Sequence, residues 1–306
     1  MQDVIRQSIT AVSSVVLGKE EQIRLAVSCL LARGHLLIED LPGMGKTTLA
    51  HALARVFSLD YRRVQFTSDM LPADILGVSI FNPQTREFEP KDGPVFTQLL
   101  LADEINRATP KTQGALLEAM EERQVTLDGG LTRALPDPFF VVATQNPVTQ
   151  SGTFPLPESQ LDRFLMRLSL GYPSAEMELK LLAGSDRRQL AVNLKPVASG
   201  EQLQHAMAEV RKVRASRDLI DYIQRLLAYS RNGGLFVAGL SPRAGIGLLN
   251  ASRAWALTGG RDYVIPEDVQ VVLGPVAEHR LQSLAGGAAA TATQKLLESV
   301  PVVRRQ

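Results

Sequence analysis

The sequence predicts an α/β fold: a P-loop parallel sheet domain with hairpin insertions, followed by a smaller all-α lid domain. An apolar run of strand length, residues 35–39, leads into a turn rich in Gly and Pro and then into a helical pattern. A second apolar run, residues 99–102, ends in two carboxylates. From Ser174 onward the periodicity is helical only. Strands that alternate with helices and then give way to helices indicate two units, which we place at residues 1–175 and 176–306.

Composition narrows the class of protein. The chain has 306 residues, a formal charge of +1 and acids and bases interspersed, so it lacks the basic excess of a nucleic-acid-binding surface. Cys29 is the only cysteine, which excludes an intrachain disulfide, and its apolar neighbours predict a buried thiol. We find no signal peptide and no apolar run of bilayer length. The expectation is a cytoplasmic protein that does not bind a membrane.

The remaining elements follow from periodicity and turn residues. Gly114, inside the helix that Thr109 and Pro110 begin, is unfavourable there by about 1 kcal/mol, and close packing would explain it. The predicted helices are residues 3–16, 20–32, 47–57, 158–165, 174–186, 200–213, 217–231, 242–258 and 266–281. The predicted strands are residues 61–66, 139–144 and 168–172, with hairpins within 67–94 and 125–135. Residues 286–293 are either a flexible link or a weak helix.

The turn at residues 40–47 has the context of a phosphate-binding loop, between a strand and a helix start. Its backbone N–H groups would bind a phosphate, Lys46 would reach the β- and γ-phosphates, and Thr47 would hold Mg²⁺. The strict pattern has glycine where this chain has Asp40, a carboxylate that has to point away from phosphates. The alternative is a glycine turn that only caps an ordinary helix.

Asp103 and Glu104 follow a buried strand whose carboxyl end would open onto a site. Asp103 would orient Mg²⁺ through its water shell, and Glu104 would polarise an attacking water molecule. Many strands simply end in surface acids, but an acidic pair downstream of a phosphate loop favours ATP binding.

Three further polar side chains have two interpretations each. Arg243 stands in the first turn of a helix, where its charge opposes the helix dipole, so either a phosphate or a carboxylate such as Asp262 or Glu267 lies nearby. Arg163, which we expect at the active edge of the sheet, is either an arginine finger for a neighbouring subunit or a partner of Glu158 or Asp162. Asn146 positions the lytic water or forms a turn before proline.

Together these residues resemble the MoxR family of AAA+ ATPases over almost the whole chain. The matching stretches are residues 39–47 (EDLPGMGKT), 65–67 (QFT), 71–74 (LPAD), 93–94 (GP), 101–108 (LADEINRA), 113 (Q), 115–118 (ALLE), 120–123 (MEER), 143–147 (ATQNP), 156–158 (LPE), 161–164 (LDRF) and 241–243 (SPR). The resemblance is weaker over residues 185–235 and after residue 281.

The resemblance implies roles for these residues. Glu104 and Asp103 would form the Walker B pair, Asn146 sensor 1, Arg163 the arginine finger and Arg243 sensor 2. The expected nucleotide-binding residues are Leu17, Gly18, Pro42, Gly43, Met44, Gly45, Lys46, Thr47, Thr48 and Asp103. Thr47 and Asp103 would hold Mg²⁺, and ATP would lie between the two domains.

The resemblance also implies partners. Such proteins form rings, here expected to be a homo-hexamer, and act as chaperones that remodel or activate a client protein. They often work with a von Willebrand factor A-domain protein and assist metal or cofactor insertion. Alternatives are a slow, nucleotide-switched binding module and, less favoured because of the even charge, a DNA-directed motor.

Overall fold

The computed structural model describes residues 2–127, 130–146, 152–183, 187–284 and 289–303. It confirms the α/β fold with a helical domain behind it. A parallel five-stranded sheet has the order β2-β5-β8-β1-β9, and two antiparallel hairpins, β3-β4 and β6-β7, stand outside it. The strands are β1 (Leu36–Glu39), β2 (Tyr61–Gln65), β3 (Gly77–Asn82), β4 (Glu87–Asp92), β5 (Leu99–Asp103), β6 (Gln124–Thr126), β7 (Thr132–Ala134), β8 (Phe140–Gln145) and β9 (Met166–Leu168).

The helices lie before, between and after these strands. Those of the first unit are α1 (Gln2–Ser13), α2 (Glu20–Leu31), α3 (Lys46–Val56), α4 (Pro72–Leu76), α5 (Pro110–Glu122) and α6 (Glu158–Leu161). Those of the lid are α7 (Ala175–Ala183), α8 (Arg187–Val192), α9 (Gly200–Val210), α10 (Arg217–Asn232), α11 (Pro242–Thr258), α12 (Pro266–Ala277) and α13 (Ala289–Ser299). No helix in the described part of the chain is both long and apolar enough to cross a membrane.

The central strands supply two hydrophobic layers, because successive strand residues point to opposite faces. Leu99 and Leu101 of β5 pack on one side with α1–α3 and the lid helices. Leu100 and Ala102 pack on the other side with residues of α5. Strands that are buried on both faces read as continuous apolar runs, which is why residues 99–102 were recognisable as a central strand. Cys29 is fully buried in the first layer, as predicted.

Several predicted element boundaries were wrong. The strand after residue 165 begins at Met166 rather than residue 168, and α6 ends at Leu161 rather than residue 165. The short helix α8 was not predicted, and α13 continues well beyond the expected weak helix at residues 286–293. Gly114 does not relieve crowding, since a Cβ built there would meet no atom within 4 Å.

The two predicted hairpins are confirmed. In the first, the Asn82 side-chain oxygen accepts a hydrogen bond from the backbone N–H of Gln84 at 2.9 Å and so closes the turn. The second joins β6 and β7, and its Asp-Gly turn at residues 128–129 lies outside the described residues. The first hairpin exposes Ile80, Phe81 and Phe88, with the two aromatic rings in contact at 5.5 Å.

Candidate active site

The loop between β1 and α3 forms one wall of a cavity of about 230 Å³ at the carboxyl ends of β1, β5 and β8. Gly43 and Gly45 both have φ near +90°, a conformation that other residues rarely adopt. A Cβ on either glycine would meet no atom within 4 Å. Pro42, Thr47 and Thr48 complete this wall. The loop therefore has the open, glycine-dependent backbone that phosphate binding requires.

Lys46 is buried at the start of α3 and also lines the cavity. Its Nζ donates to the backbone oxygen of Asp40 at 2.6 Å and to Oδ1 of Asn146 at 3.3 Å. Desolvation lowers the pKa of Lys46, while the nearby charges of Asp40, Asp103 and Glu104 oppose that shift. Lys46 thus supplies a fixed donor beside the carboxylates of the cavity.

The departure at Asp40 has a structural explanation. Its carboxylate accepts hydrogen bonds from Oγ of Ser169 at 2.9 Å and from the backbone N–H of Leu170. The backbone N–H of Gly171 lies 3.3 Å from the same carboxylate. The charge therefore points away from the phosphate loop, and only the backbone carbonyl of Asp40 faces Lys46.

Asp103 ends the central strand β5 inside the cavity. Its Oδ1 accepts a hydrogen bond from Oγ1 of Thr144 at 2.6 Å, and its Oδ2 pairs with Nη2 of Arg63 at 2.6 Å. Thr144 on the neighbouring strand β8 therefore fixes one oxygen. The other oxygen is paired with Arg63, whose long, half-exposed side chain could swing away when a metal ion binds to Asp103.

Glu104 has φ +56°, a left-handed conformation that is strained for a residue with a Cβ. Its backbone N–H donates to Thr144 Oγ1 at 2.9 Å, which stabilises this turn. The carboxylate accepts hydrogen bonds from Asn146 Nδ2 at 2.9 Å and Gln65 Nε2 at 3.0 Å, and Arg107 Nε lies 2.8 Å away. Glu104 and Asn146 are therefore hydrogen-bonded to each other at the edge of the cavity.

A second cavity, of about 270 Å³, adjoins the first and shares Gly43, Gly45 and Thr48 with it. Leu17 and Met44 give it an apolar wall. The neighbouring residue Gly18 has φ +67°, and a Cβ there would come within 2.9 Å of Met177 Cγ. The arrangement offers a flat apolar group a place next to the phosphate loop.

Arg163 and Arg243 lie elsewhere. Both line a third cavity, of about 230 Å³, which we call the arginine cavity. The residues immediately before β1, Gly34 and His35, also line it, so it lies at the amino edge of the sheet. The charged residues that line it are Arg33, Glu121, Arg123, Asp162, Arg163, Arg243 and Arg280.

The expectation that Arg163 lies at the same edge as the phosphate loop is therefore wrong. Arg163 precedes β9, which runs parallel to β1, so it belongs to the edge where the strands begin. Arg243, at the start of α11, lines the same cavity, so one chain does not bring Arg163 and Arg243 together with Lys46.

Neither arginine pairs with a carboxylate named from the sequence, but Arg243 does have a carboxylate partner, the second of its two interpretations. Nη1 of Arg163 donates to the backbone oxygen of Leu117 at 2.6 Å. Arg243 forms an ion pair with Glu121, at the end of α5. Both arginines thus contact α5, the helix that runs between the two edges of the sheet.

Sequence reasoning missed several residues that hold the carboxylates. Arg63 and Gln65 alternate on β2, and Gln65 is paired in register with Asp103, so their side chains share a face beside β5. Two polar residues at this spacing in a predicted strand were the available signal. The role of Thr144 had a signal too, because it lies one residue before the end of β8, beside the acidic pair.

Comparison with known proteins agrees with this geometry. Residues 35–166 match the ATPase family associated with various cellular activities (AAA), and residues 229–299 match the AAA lid domain. The chain is 46% identical to the uncharacterised protein YeaC of Bacillus subtilis over 91% of its own length and 87% of that protein. It is 39% identical to Chaperone MoxR1 of Mycobacterium tuberculosis, covering 90% of this chain and 75% of that one.

A solved structure supports the same relationship. The crystal structure of a candidate ATPase from Cytophaga hutchinsonii has a TM-score of 0.88 and 35% sequence identity to this chain. The match covers 99% of this chain and 96% of that protein. The extent of these matches, together with the phosphate loop and the acidic pair in one cavity, shows that the chain belongs to the MoxR family of AAA+ ATPases.

Proposed function

We propose that this protein binds ATP with Mg²⁺ and hydrolyses it to ADP and phosphate. The observation that carries the proposal is the convergence of Lys46, Asp103, Glu104 and Asn146 around one cavity at the carboxyl edge of the sheet. Bound Mg·ATP would supply the transferable phosphoryl group and the metal charge that offsets its negative oxygens.

The residues present fit this ligand. Lys46 is a buried cation beside an open, glycine-dependent loop, the donor set that a triphosphate needs. Thr47 and Asp103 offer the oxygen atoms that Mg²⁺ prefers. The adjoining apolar cavity that Leu17 lines would accept the adenine base.

Glu104 is the proposed general base, and Asn146 its positioning partner. The hydrogen bonds from Asn146 and Gln65 hold both carboxylate oxygens of Glu104, which would orient a water molecule for attack. The strained backbone of Glu104 supports a functional role, since such conformations concentrate at sites where position matters.

We further propose that Arg163 and Arg243 act on the nucleotide of a neighbouring subunit. Both line the cavity at the edge opposite Lys46, so in this arrangement a chain does not offer them to its own Lys46 cavity. Of the described residues lining their cavity, five are arginines and two are acidic, an excess of positive charge that favours an incoming polyphosphate. A closed head-to-tail ring, expected to be a hexamer, satisfies this requirement at every interface.

The proposed biological role is that of a chaperone that remodels or activates a client protein. The similarity to Chaperone MoxR1 supports this role. The exposed Phe81 and Phe88 of the β3-β4 hairpin offer an apolar contact for a client. A von Willebrand factor A-domain partner and assistance with metal or cofactor insertion are the expected finer roles.

Glu104→Gln tests the reaction. This variant should lose ATP turnover by on the order of 100-fold or more, because the amide cannot accept a proton, while it still binds ATP. Glu118→Gln, an exposed carboxylate on α5, is the matched control and should turn over normally. Unchanged turnover in Glu104→Gln would remove Glu104 from the mechanism.

The same variant tests the role in the cell. Held with ATP, Glu104→Gln should retain clients and a von Willebrand factor A-domain protein through purification. Turnover that is unaffected by any partner so captured would instead favour the nucleotide-switched binding module.

A further inference from the structure

Arg280, three residues beyond the end of α12, reaches from the lid into the sheet domain. Its side chain is only 7% exposed, and its Nε donates to Oδ1 of Asp162 at 2.6 Å. Its Nη2 donates to the backbone oxygens of Asp162 at 3.0 Å and Phe164 at 2.7 Å, and Nη1 donates to that of Leu165 at 3.2 Å. These partners stand on both sides of Arg163, so the guanidinium holds the turn that carries it.

The two residues before Arg280 contact the same segment. Nε2 of the buried His279 lies 2.9 Å from the backbone oxygen of Phe164. The carboxylate of Glu278 lies 3.8 Å from Nη2 of Arg167, whose Nη1 donates to Oε2 of Glu39 at 3.0 Å. Residues 278–280 therefore join the lid both to the Arg163 turn and to the strand that leads into the phosphate loop.

The chemistry of these contacts requires arginine. A guanidinium presents several donors in a rigid plane, and here they bind one carboxylate and the backbone carbonyls of three residues in the turn. Lysine would keep the charge beside Asp162 but could not bind these carbonyls together. The Arg163 turn follows the single-turn helix α6, and its backbone N–H groups donate to residues of that helix, Gln160 and Leu161, and to His35. Arg280 adds donors to the carbonyl side of the same turn.

We propose that Arg280 is a positioning residue that fixes Arg163 for use by the neighbouring subunit and makes that position depend on the lid. This inference rests on the proposed role of Arg163 in a neighbour's site. A shift of the lid in response to its own nucleotide would then move the arginine that the same subunit offers to the next one. The lid edge at residues 278–280 thereby transmits the nucleotide state from one subunit to the next.

The test uses rings mixed from two inactive variants. Glu104→Gln subunits cannot hydrolyse ATP but offer Arg163, whereas Arg163→Ala subunits retain a working Glu104 but offer no arginine. Neither should turn over alone, and their mixture should recover turnover where an Arg163→Ala site meets a Glu104→Gln neighbour. Arg280→Lys is then added either to the arginine donor or to the acceptor.

The expected result is directional. Arg280→Lys in the Glu104→Gln donor should lower the recovered turnover about tenfold, because a small misplacement of a catalytic group is costly. The same change in the Arg163→Ala acceptor should leave turnover within about twofold, since its own arginine is already absent. Equal losses in both positions would overturn the proposal and assign Arg280 a structural role. If the mixture without Arg280→Lys recovers nothing, the proposed role of Arg163 is wrong, and this inference falls with it.

Hydrogen exchange provides a readout that does not depend on turnover. Arg280→Lys should speed exchange of the backbone amides of residues 162–165 and leave those of the phosphate loop unchanged. Arg225→Lys is the matched control, because Arg225 also binds a carboxylate, Asp221, and two backbone oxygens, but within the lid. Unchanged exchange at residues 162–165 in Arg280→Lys would overturn the proposal.

Asp162→Asn replaces the carboxylate that Arg280 binds in the sheet domain. If Arg280→Lys is poorly folded, Asp162→Asn in the Glu104→Gln donor should lower the recovered turnover in its place.

Discussion

The carboxyl edge and the amino edge of the sheet differ in how their charges are paired. At the carboxyl edge, the lining of the Lys46 cavity includes two basic residues, Lys46 and Arg63, and two acidic ones, Asp103 and Glu104. At the amino edge, five arginines face two acidic residues. The first cavity is electrically balanced by its own chain, and the second is not.

This difference indicates which half of a shared site each edge supplies. A balanced network with lysine held between a carbonyl and an amide is prepared to bind a ligand without help from another chain. An excess of arginine at a surface cavity is stabilised when an anion from outside approaches. The molecule therefore combines a candidate nucleotide site at one edge with the arginines that we propose for a neighbour's site at the other, and α5 and the lid join the two edges.

The largest expected effect is on the affinity for ATP, measured at a concentration where the protein is monomeric. A substitution at the carboxyl edge should lower this affinity, and one at the amino edge should not. Lys46→Ala should weaken ATP binding on the order of 100-fold, since it removes a buried charged donor. Arg243→Ala should change it less than about twofold, because Arg243 pairs with Glu121 at the other edge. Titration with a fluorescent ATP analogue measures both, with the exposed Lys212→Ala as control. If monomeric Arg243→Ala bound ATP as weakly as Lys46→Ala, both edges would contribute to nucleotide binding within one chain.

An intermediate effect concerns the free energy of unfolding at acid pH, which we expect to depend on His35 at the amino edge. Burial lowers the pKa of His35 from 6.5 to about 4, and the charges of Arg123 and Arg243 add to the shift. Nδ1 of His35 accepts a hydrogen bond from the backbone N–H of Val141 at 3.0 Å, so the neutral ring is the one that fits. Between pH 6.5 and about pH 4, His35 is therefore protonated in the unfolded chain and neutral in the folded chain. His35 alone should therefore lower the free energy of unfolding by about 2 kcal/mol between pH 7 and pH 5.

Urea unfolding at several pH values measures this slope. His35→Gln should flatten it, whereas the same change at the exposed His205 should not. Buried His279, whose pKa desolvation also lowers, should leave part of the slope in place. A slope that is identical in His35→Gln and the unmodified protein would contradict the assignment.

The smallest effect concerns α5, the helix between the edges. Gly114→Ala should raise the free energy of unfolding by about 0.5–1 kcal/mol, because the site has room for a methyl group and alanine favours helix. Thermal unfolding measures the gain. Lost turnover in a stabilised Gly114→Ala protein would indicate that α5 has to flex for the two edges to cooperate.

Local patterns predicted the carboxyl edge well. The phosphate loop, the acidic pair and Asn146 each follow a strand of one parallel sheet, so strand ends alone brought them together. The side chains that hold them were harder to foresee. Arg63 and Gln65 reach the acidic pair because β2 pairs with β5 in a particular register, and the sequence does not show which strands pair or in which register.

The amino edge was predicted poorly for a physical reason. Arg163 was expected at the carboxyl edge because its helix follows the loop after Asn146. It directly precedes β9, and a residue that precedes a strand of a parallel sheet lies at the edge where the strands begin. Arg280 and Asp162 lie far apart in sequence and meet only because the lid packs against the sheet domain. Periodicity carries no information on such contacts between domains.

Asp40 has a consequence for the way the two domains move. Its carboxylate holds Ser169, Leu170 and Gly171, the last residues of the sheet domain before the chain enters the lid. The anchor of the lid is therefore tied to the first residue of the phosphate loop, and rotation should begin beyond Gly171, whose φ of +62° suits a pivot. A rotation of the lid on nucleotide binding would therefore turn about a point that Asp40 fixes, the residue that replaces a glycine of the strict motif.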